Sequence, residues 1–285
     1  MMYNYSMNTF VLLFTCRDKR GIVSRTSDFI LAHEGNIIAA DQYSTDPEGG
    51  KFFLRIEFFI KDDAVDKEAL SEAFSAIAKE FNGEYNIYSK DEKMKMGIMV
   101  SRPDHCLVEL LYLWESKEIN VDIPFVVSNY PEHKKLVERY DIPFYYMTSD
   151  SSSRKEKEIL NIIRDSDFLV LARYMLVLSG SFIDSYEKDI INIHHSFLPS
   201  FKGADPYGKA FKRGVKVIGA TAHFVTEKLD EGPIITQMVE HVSHKDSESD
   251  LKRKGKHMEK RALAQAVYEY INHRIIKDGN RTIVF

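Results

Sequence analysis

The sequence predicts an α/β protein with a small N-terminal domain and a larger C-terminal domain. Its 285 residues exceed the usual size of one compact domain. Strand-like and helical patterns alternate along the chain, as in α/β proteins generally. The charged segment 89–95 has no apolar periodicity and separates two regions of different pattern. We therefore expect a first domain over residues 1–88, a linker at 89–95 and a second domain over 96–285.

The N-terminal domain is predicted to be a ferredoxin-like βαββαβ unit. Its helices are expected where apolar residues recur every three or four positions, and Gly35 is expected to end the first of them. The sequence Asp-Pro-Glu-Gly-Gly at 46–50 predicts a hairpin. The predicted elements are a strand at 9–15, a helix at 22–32, strands at 36–45 and 51–60, a helix at 66–81 and a strand at 84–88.

The C-terminal domain is predicted to have a Rossmann-like, mostly parallel sheet. Short apolar runs alternate there with helical patterns, because each parallel strand needs a crossover connection before the next one. The predicted strands are 96–100, 121–127, 144–146, 168–171, 190–193, 216–225 and 234–242, with a possible edge strand at 282–285. The predicted helices are 106–115, 154–165 and a long amphipathic helix through 251–270.

Composition and charge argue against several classes of protein. The net charge of -4 gives no basic excess for binding a phosphate backbone, so no nucleic-acid partner is expected. No stretch approaches about 18 uninterrupted apolar residues, and residues 1–7 lack a secretory pattern, so we expect a cytoplasmic protein without a membrane partner. Cys16 and Cys106 are too few for a disulfide framework, which fits a reducing compartment.

Catalytic chemistry is predicted at the end of the strand at 190–193. Asn192 and His194 are two residues apart, so their side chains lie on the same side of an extended chain. Asp230 lies in the loop 229–233, just before another predicted strand. This trio suits hydrolysis of a formamide. The carboxylate with the imidazole can orient and deprotonate water, while the amide and a protonated imidazole stabilise the oxyanion.

Other kinds of site have weaker support, although the spacing of this trio also occurs by chance. A histidine cluster could bind a metal, but no HExxH or paired-Cys spacing accompanies it, so no metal is predicted. Ser196 lacks a G-x-S-x-G elbow and is better explained as the cap of a turn. Residues 97–104 contain no glycine-rich phosphate loop, so no nucleotide cofactor is expected. The histidines considered were His194, His195, His223, His241 and His244.

A larger set of motifs resembles the formyltransferase fold shared by folate-dependent formyl-group enzymes. The resemblance implies that Asn192, His194 and Asp230 are catalytic and that His223 supports Asp230. The motifs are Asn192-Ile-His-His-Ser-Phe-Leu-Pro199, Gly203, Gly219-Ala-Thr-Ala-His-Phe-Val225, and Leu229-Asp-Glu-Gly-Pro-Ile-Ile235 with Gln237. The implied folate cleft lies between the strand and loop 171–178 and an opposite wall at 225–229. The residues expected to contact the substrate are Arg173, Tyr174, Met175, Leu176, Val177, Leu178, Gly203, His223, Val225, Thr226, Glu227 and Leu229.

Within that superfamily, nearly the whole chain resembles the formyltetrahydrofolate deformylases. The resemblance implies hydrolysis of 10-formyltetrahydrofolate to formate and tetrahydrofolate without a cofactor, supplying formate for purine biosynthesis and balancing the one-carbon pool. Leu176, Lys202 and Gly208 depart from the usual pattern of a polar residue, an apolar residue and a histidine, all at the edge of the cleft. Further matches are Ser128-Asn129, Ala172-Arg173-Tyr174-Met175, Arg253-Lys-Gly255 and Gly279-Asn-Arg-Thr-Ile-Val-Phe285.

The N-terminal domain resembles the ACT-type amino-acid-sensing module. The resemblance points to Asp18, Gly21 and Asn36 as the effector site, with methionine or glycine as the leading effectors. A carboxylate and an amide can bind amino and carboxylate groups, and glycine lets the backbone approach. Exposed strand edges favour pairing with a second copy, so a homo-oligomer through this domain is expected. A purely structural domain is the alternative.

Two other functions are compatible with the predicted fold. A transformylase would transfer the formyl group to an amine acceptor, but the loop 101–105 has no glycine-rich phosphate cradle. The acidic charge is also unfavourable, and no tRNA-binding domain is expected after Phe285. A non-enzymatic folate or amino-acid sensor would be expected to lose a member of the trio. All three members are present, which favours the hydrolase.

Overall fold

The computed structural model describes residues 8–61, 65–148, 155–200, 203 and 205–285, and it contains two compact units. The small unit comprises the described residues up to Lys93 together with 272–276 and 283–285. The large unit comprises 94–271 and 277–282. The overall class is α/β, with the small unit preceding the large one, as the sequence predicted.

The small unit is a four-stranded antiparallel sheet with two helices in the order βαββαβ. The strand order across the sheet is β2-β3-β1-β4, which is ferredoxin-like. These elements follow the predicted ones to within a few residues at their ends. They are β1 (Asn8–Arg17), α1 (Ile22–Ala32), β2 (Asn36–Ser44), β3 (Lys51–Ile60), α2 (Lys67–Phe81) and β4 (Glu84–Ser89).

Helix α2 shows why the sequence forms these elements. The Asp66 carboxylate accepts a hydrogen bond from the backbone N–H of Ala69 at 2.8 Å, which caps the helix N-terminus. Asn82 takes a left-handed conformation and ends the helix. The side chains spaced three or four apart all point into the core between helix and sheet. They are Leu70, Phe74, Ile77 and Phe81, all buried.

The large unit is built on an eight-stranded, mostly parallel sheet. Most of its strands lie in the predicted places. Its elements are β5 (Met94–Val100), α3 (His105–Glu115), β6 (Val121–Asp122), β7 (Val126–Ser128), a 3₁₀ turn (Pro131–His133), α4 (Lys134–Glu138), β8 (Phe144–Tyr146), α5 (Glu156–Ile163), β9 (Phe168–Ala172), α6 (Gly180–Tyr186), β10 (Ile190–His194), α7 (Pro206–Arg213), β11 (Val217–Phe224), β12 (Ile234–His241) and α8 (Glu248–Ile271).

The strand order places the end of β10 beside the end of β9. The order is β12-β11-β10-β9-β5-β7-β8, with β6 paired to β5. The strands from β10 to β8 are parallel, whereas β11 and β12 run antiparallel to their neighbours. Sites in open parallel sheets form beyond the carboxyl ends of the strands. The polar residues that end β10 therefore lie where a site is expected.

The predicted linker is shorter in the structure than in the sequence analysis. Ser89 still belongs to β4 and Met94 already begins β5, which leaves only 90–93 as a connection. Lys95 of β5 and the charged residues 90–93 before it concealed the start of that strand. The strand predicted at 121–127 is divided into β6 and β7, because Pro124 has no N–H to donate to a strand ladder.

The C-terminal segment also differs from the prediction of one continuous domain over 96–285. Arg281–Val284 forms β14, which pairs with β13 (Ile275–Asp278) in a separate two-stranded sheet rather than at the edge of the main one. Residues 272–276 and 283–285 belong to the small unit. Arg55 of β3 donates hydrogen bonds to the carbonyl oxygens of Asn272 and His273 at 3.2 and 3.1 Å. These long-range contacts leave no pattern in the local sequence.

Three of the described helices were not predicted, and one was predicted too long. Helices α4, α6 and α7 are short and amount to about one to two turns each, too few for a clear apolar periodicity. The helix predicted at 154–165 spans Glu156–Ile163, and residue 154 lies outside the described residues. Among the described helices, none combines the length and the apolar character needed to cross a membrane.

Gly97 in the central strand β5 provides a test of how the large unit packs. A Cβ added there would lie 2.5 Å from Phe125 Cζ and 2.7 Å from Leu169 Cδ2, both in buried side chains. We expect Gly97→Ala to lower the free energy of unfolding by about 1–3 kcal/mol, measured by urea denaturation. Gly180→Ala is the control, because nothing lies within 3.4 Å of the added Cβ. An equal effect of both substitutions would contradict this packing.

Candidate active site

A cavity of about 440 Å³ lies beside the carboxyl ends of β9 and β10. The trio Asn192, His194 and Asp230 lines it together with every residue that the sequence analysis placed in the cleft. Leu171 and Lys228 also line it, within the segments 171–178 and 225–229 that the resemblance assigned to the cleft. Four further residues on its wall were not predicted. They are Ile183, Ile193, His195 and Asp205. Asp205 directly precedes Pro206 and caps α7. An aspartate followed by a proline is a common start of a helix, so the sequence could have placed Asp205 there. Ile183 lies on helix α6, which was not predicted.

The trio is assembled by the pairing of β10 with β11. Asn192 and His194 alternate along β10, where they lie opposite His223 and Thr221 of β11. Asp230 is on the loop between β11 and β12, which returns it to the end of β10. His194 Nδ1 lies 3.2 Å from Asp230 Oδ1. The structure therefore brings together two residues from one strand and a third that follows 36 positions after His194.

The loop of Asp230 requires a glycine. A Cβ at Gly232 would lie only 1.8 Å from the carbonyl oxygen of Phe224, so no larger residue fits without displacing the backbone. Phe224 also donates its N–H to the carbonyl of Pro233 at 2.9 Å. Asp230 itself has a φ of 56°, a left-handed conformation that aspartate tolerates better than most residues. The sequence Leu229-Asp-Glu-Gly-Pro233 thus specifies the turn that presents the carboxylate.

His223 orients Asn192. Burial lowers the pKa of His223, although its hydrogen bond to the Phe224 carbonyl opposes the shift, so the ring is neutral at neutral pH. Nδ1–H donates to that carbonyl at 2.8 Å, which leaves Nε2 as an acceptor. Asn192 Nδ2 is 3.2 Å from Nε2 and donates to it. His223 Nε2 is farther, 3.7 Å, from Asp230 Oδ1, so in this tautomer it does not donate to Asp230.

Asp230 is a charged base at neutral pH. Burial raises the pKa of its carboxyl group, but the hydrogen bond and charge of His194 outweigh burial and hold the pKa below its ordinary value. Nε2 of His194 is buried and has no hydrogen-bond partner among the described residues. Because buried polar atoms are nearly always hydrogen-bonded, this nitrogen is the natural contact for a bound substrate.

Two of the three residues that depart from the family pattern, Leu176 and Gly208, are among the described residues. Leu176 is on the cavity wall. Gly208 accommodates the Asp205 cap of α7, since a Cβ there would lie 2.1 Å from Asp205 Oδ2. Lys202 lies outside the described residues, as do residues 201 and 204. Gly203 is described and lines the cavity.

The proposed effector residues do not come together within one chain. Asp18 follows β1, at the end of the sheet where Arg17 pairs with Lys51, and it accepts a hydrogen bond from the hydroxyl of Ser44. Gly21 begins α1 with a φ of 96°, a conformation that favours glycine. Asn36 pairs with Phe59 at the other end of β3. Phe59 is about eight residues, or roughly 26 Å, along β3 from Lys51, the residue at the end near Asp18. Asp18 and Asn36 can share a ligand only if they come from different chains.

A possible metal-ligating group occurs away from the histidines considered in the sequence. Among the described residues, it is His105, Cys106 and Glu259, whose ligand atoms lie within 4.8 Å of one another. Arg173 Nε lies 3.1 Å from Glu259 Oε2, and its positive charge opposes binding of a cation there. Burial raises the pKa of the Cys106 thiol, so the thiolate that a metal needs is disfavoured. This group fits an ion-pair network better than a metal site.

The two units correspond to two known domain families. The ACT domain model matches residues 10–75, and the Formyl transferase model matches residues 94–267. The small βαββαβ unit and the trio beside the parallel sheet thus define an ACT-containing protein of the formyl transferase class.

Individual relatives narrow this class. The chain is 46% identical to formyltetrahydrofolate deformylase of Bacillus subtilis (strain 168), over 96% of this chain and 93% of that protein. A crystal structure of a formyltetrahydrofolate deformylase from Pseudomonas syringae is 41% identical with a TM-score of 0.94, covering 99% of this chain and 96% of that one. A glycinamide ribonucleotide transformylase from Symbiobacterium toebii matches less well, with 28% identity, a TM-score of 0.64 and coverage of 70% and 98%. The chain belongs to the formyltetrahydrofolate deformylase family, which confirms the resemblance drawn from its motifs.

His195 makes the stability of the large unit depend on pH. Burial and the charge of Arg173 lower its pKa from 6.5 to about 4. Between these values the unfolded chain binds the proton more readily, so the free energy of unfolding falls as the pH falls, by up to about 3 kcal/mol from this residue. We expect His195→Asn to lose less stability than the wild type between pH 7 and pH 5, measured by urea denaturation. Identical pH dependence would contradict the assignment.

Proposed function

We propose that this chain hydrolyses 10-formyltetrahydrofolate to formate and tetrahydrofolate. The observation that carries the proposal is the contact of His194 with Asp230 beside Asn192, on a cavity of ligand size in a member of the deformylase family. The product formate would supply purine biosynthesis and help to balance the one-carbon pool, as expected from the sequence.

The trio can perform every proton transfer of the hydrolysis. Asp230 orients a water molecule and takes its proton as the water oxygen bonds to the formyl carbon. His194, protonated and held through Nδ1 by Asp230, directs Nε2–H at the formyl oxygen. Asn192 donates its second amide hydrogen to the same oxygen, since the first is donated to His223. When the carbon–nitrogen bond breaks, the proton passes from Asp230 to the folate nitrogen. Formic acid leaves and loses its acidic proton to the solvent as formate.

The shape of the cavity supports folate as the substrate. One wall is apolar and consists of Leu176, Val177, Leu178 and Ile183, which suits the flat ring system of a folate. The polar trio lies on another wall, so a ring held on the apolar side would present its formyl group to the trio. Residues 225–229 also line the cavity, and Thr226, Glu227 and Lys228 bring polar side chains to it.

The proposed chemistry needs neither a metal nor a nucleotide. A carboxylate, an imidazole and an amide supply the base and the oxyanion donors, so a metal-bound water is not required. We also propose that the protein acts in the reducing cytoplasm, because Cys16 and Cys106 are both free and buried.

We further propose that the small unit binds an amino acid between two copies of the chain. Asp18 and Gly21 of one chain would meet Asn36 of the second, because one chain cannot bring them together. Residues near β2 with exposed apolar side chains, Leu31, Ile38 and Tyr43, would be covered by such pairing. Methionine and glycine are the leading effectors, since both are linked to one-carbon metabolism.

The catalytic roles predict large losses of activity without loss of the fold. Purified wild type with 10-formyltetrahydrofolate and no amine acceptor should release formate. We expect Asp230→Asn and His194→Ala to lower kcat by about 100-fold to 10,000-fold, because each removes a base or an oxyanion donor. Circular dichroism should show an intact fold. Near-wild-type turnover of Asp230→Asn would refute its role, and a strict need for an acceptor would refute hydrolysis. EDTA should leave the rate unchanged.

The effector site predicts an allosteric response that depends on Asp18. Calorimetry should detect binding of methionine or glycine to the wild type, and the same amino acid should change the rate of formate release. Asp18→Ala should abolish both effects and keep the basal rate, because the small unit does not contain the catalytic trio. If neither amino acid binds to the wild type, the small unit has only a structural role.

A further inference from the structure

A buried carboxylate outside the trio lies behind the cavity wall. Glu259 of α8 is only 2% exposed. Its Oε1 accepts a hydrogen bond from the Tyr207 hydroxyl at 2.8 Å, and its Oε2 accepts one from His105 Nε2 at 2.8 Å. Arg173 Nε lies 3.1 Å from the same Oε2. One side chain thus joins α8 to α7, to α3 and to the end of β9, and the proposed mechanism does not use it.

Burial of the charged Glu259 carboxylate costs desolvation free energy, which points to a function for the charge. An apolar side chain could fill the same position without the cost of desolvating a carboxylate. Burial raises the pKa of Glu259, but hydrogen bonds and charges from His105, Arg173 and Tyr207 outweigh it and hold the pKa below the ordinary value. Glu259 is therefore an anion at neutral pH, and Arg173 is the permanent cation beside it.

Arg173 connects this anion to the substrate cavity. It lines the cavity and begins the segment 173–178, which forms one of the cavity walls. Its φ of 63° is left-handed, which is strained for a long side chain and persists only where surrounding contacts enforce it. Ser101 contributes two of these contacts. Its N–H donates to the Arg173 carbonyl at 3.2 Å, and its hydroxyl oxygen accepts from the N–H of Met175 at 2.9 Å.

The attraction between Arg173 and Glu259 is mainly one of charge. Nε of Arg173 is buried and makes no aligned hydrogen bond among the described residues, although it lies at ion-pair distance from Glu259. Loss of the carboxylate charge would leave the guanidinium buried and uncompensated. The arginine would then have to move, and the chain that follows it would move as well.

We propose that Glu259 is a positioning residue, whose negative charge holds Arg173, and with it the wall 173–178, in the conformation that binds the folate. The proposal rests on the function proposed above. It places the effect of Glu259 on substrate binding, because the trio lies on β10 and on the loop after β11 and not on this wall.

Glu259→Gln tests the proposal, because it keeps the size of the side chain and removes the charge. We expect KM for 10-formyltetrahydrofolate to rise about 10-fold to 100-fold, the usual effect of losing a hydrogen-bonding partner with a charge. The change in kcat should be smaller than the change in KM. Formate release over a range of substrate concentrations measures both. A folded variant with unchanged KM would show that Glu259 has only a structural role and would overturn the proposal.

Two further variants separate charge from helix packing. Glu109→Gln is the matched control, since Glu109 also joins α3 to α8 through Lys260 at 2.7 Å but does not line the cavity. Its KM should not change, and an increase equal to that of Glu259→Gln would overturn the proposal. The Arg173→Gln/Glu259→Gln double variant should have a KM no higher than Arg173→Gln alone, because both changes break one contact. Additive effects would contradict a shared action.

Two more measurements apply if the first variant or the proposed function fails. Should Glu259→Gln not fold, Tyr207→Phe removes the hydrogen bond that orients the Glu259 carboxylate toward Arg173. A carboxylate free to turn should hold Arg173 less well, so KM should rise about twofold to tenfold, and an unchanged KM would overturn the proposal. Calorimetry with tetrahydrofolate separates binding from hydrolysis. Binding by a wild type that releases no formate would contradict the proposed function alone, and affinities of the same variants would then decide the role of Glu259. No binding by the wild type would overturn both.

Discussion

The contact between His194 Nδ1 and Asp230 Oδ1 depends on the pairing of four neighbouring strands. Strand β10 holds His194 between parallel β9 and antiparallel β11, and the reversal from β11 to β12 returns Asp230 to the same edge of the sheet. Gly232 permits the close turn that completes this return. A shift of one residue in the β10–β11 register would turn Asn192 and His194 away from the cavity. The chemistry therefore rests on strand register as much as on the residues themselves.

Burial alone lowers the pKa of a histidine and raises the pKa of a carboxylic acid. Around the cavity, the hydrogen-bonding and charged partners of each group decide the net shift. His223 and His195 are buried without a directly bonded carboxylate, and their pKa values fall, so both rings are neutral. Asp230 and Glu259 are buried beside donors and cations, and their pKa values also fall, so both carboxylates are charged. The site thus keeps two ionised carboxylates beside the uncharged imidazoles of His223 and His195 at neutral pH.

Local sequence patterns predicted most of the fold and part of the site. The two-residue spacing of Asn192 and His194 placed both on one side of β10, because side chains alternate along a strand. Asp230 was proposed from its place in a loop before a predicted strand, and the resemblance to a family supported that choice, since nothing local indicates which distant carboxylate returns to a strand end. Glu259 was not found, because charged neighbours on α8 conceal a buried position within an otherwise polar stretch. Its role depends on contacts with residues 52 to 154 positions away, which local periodicity cannot show.

In the proposed reaction, water is the acceptor of the formyl group at this trio. The most direct measurement is hydrolysis of 10-formyltetrahydrofolate by the wild type in ¹⁸O-labelled water, followed by mass spectrometry of the formate. Attack by water on the formyl carbon predicts that each formate carries one labelled oxygen and keeps the original formyl oxygen. Unlabelled formate, or no formate until an amine is added, would contradict the account.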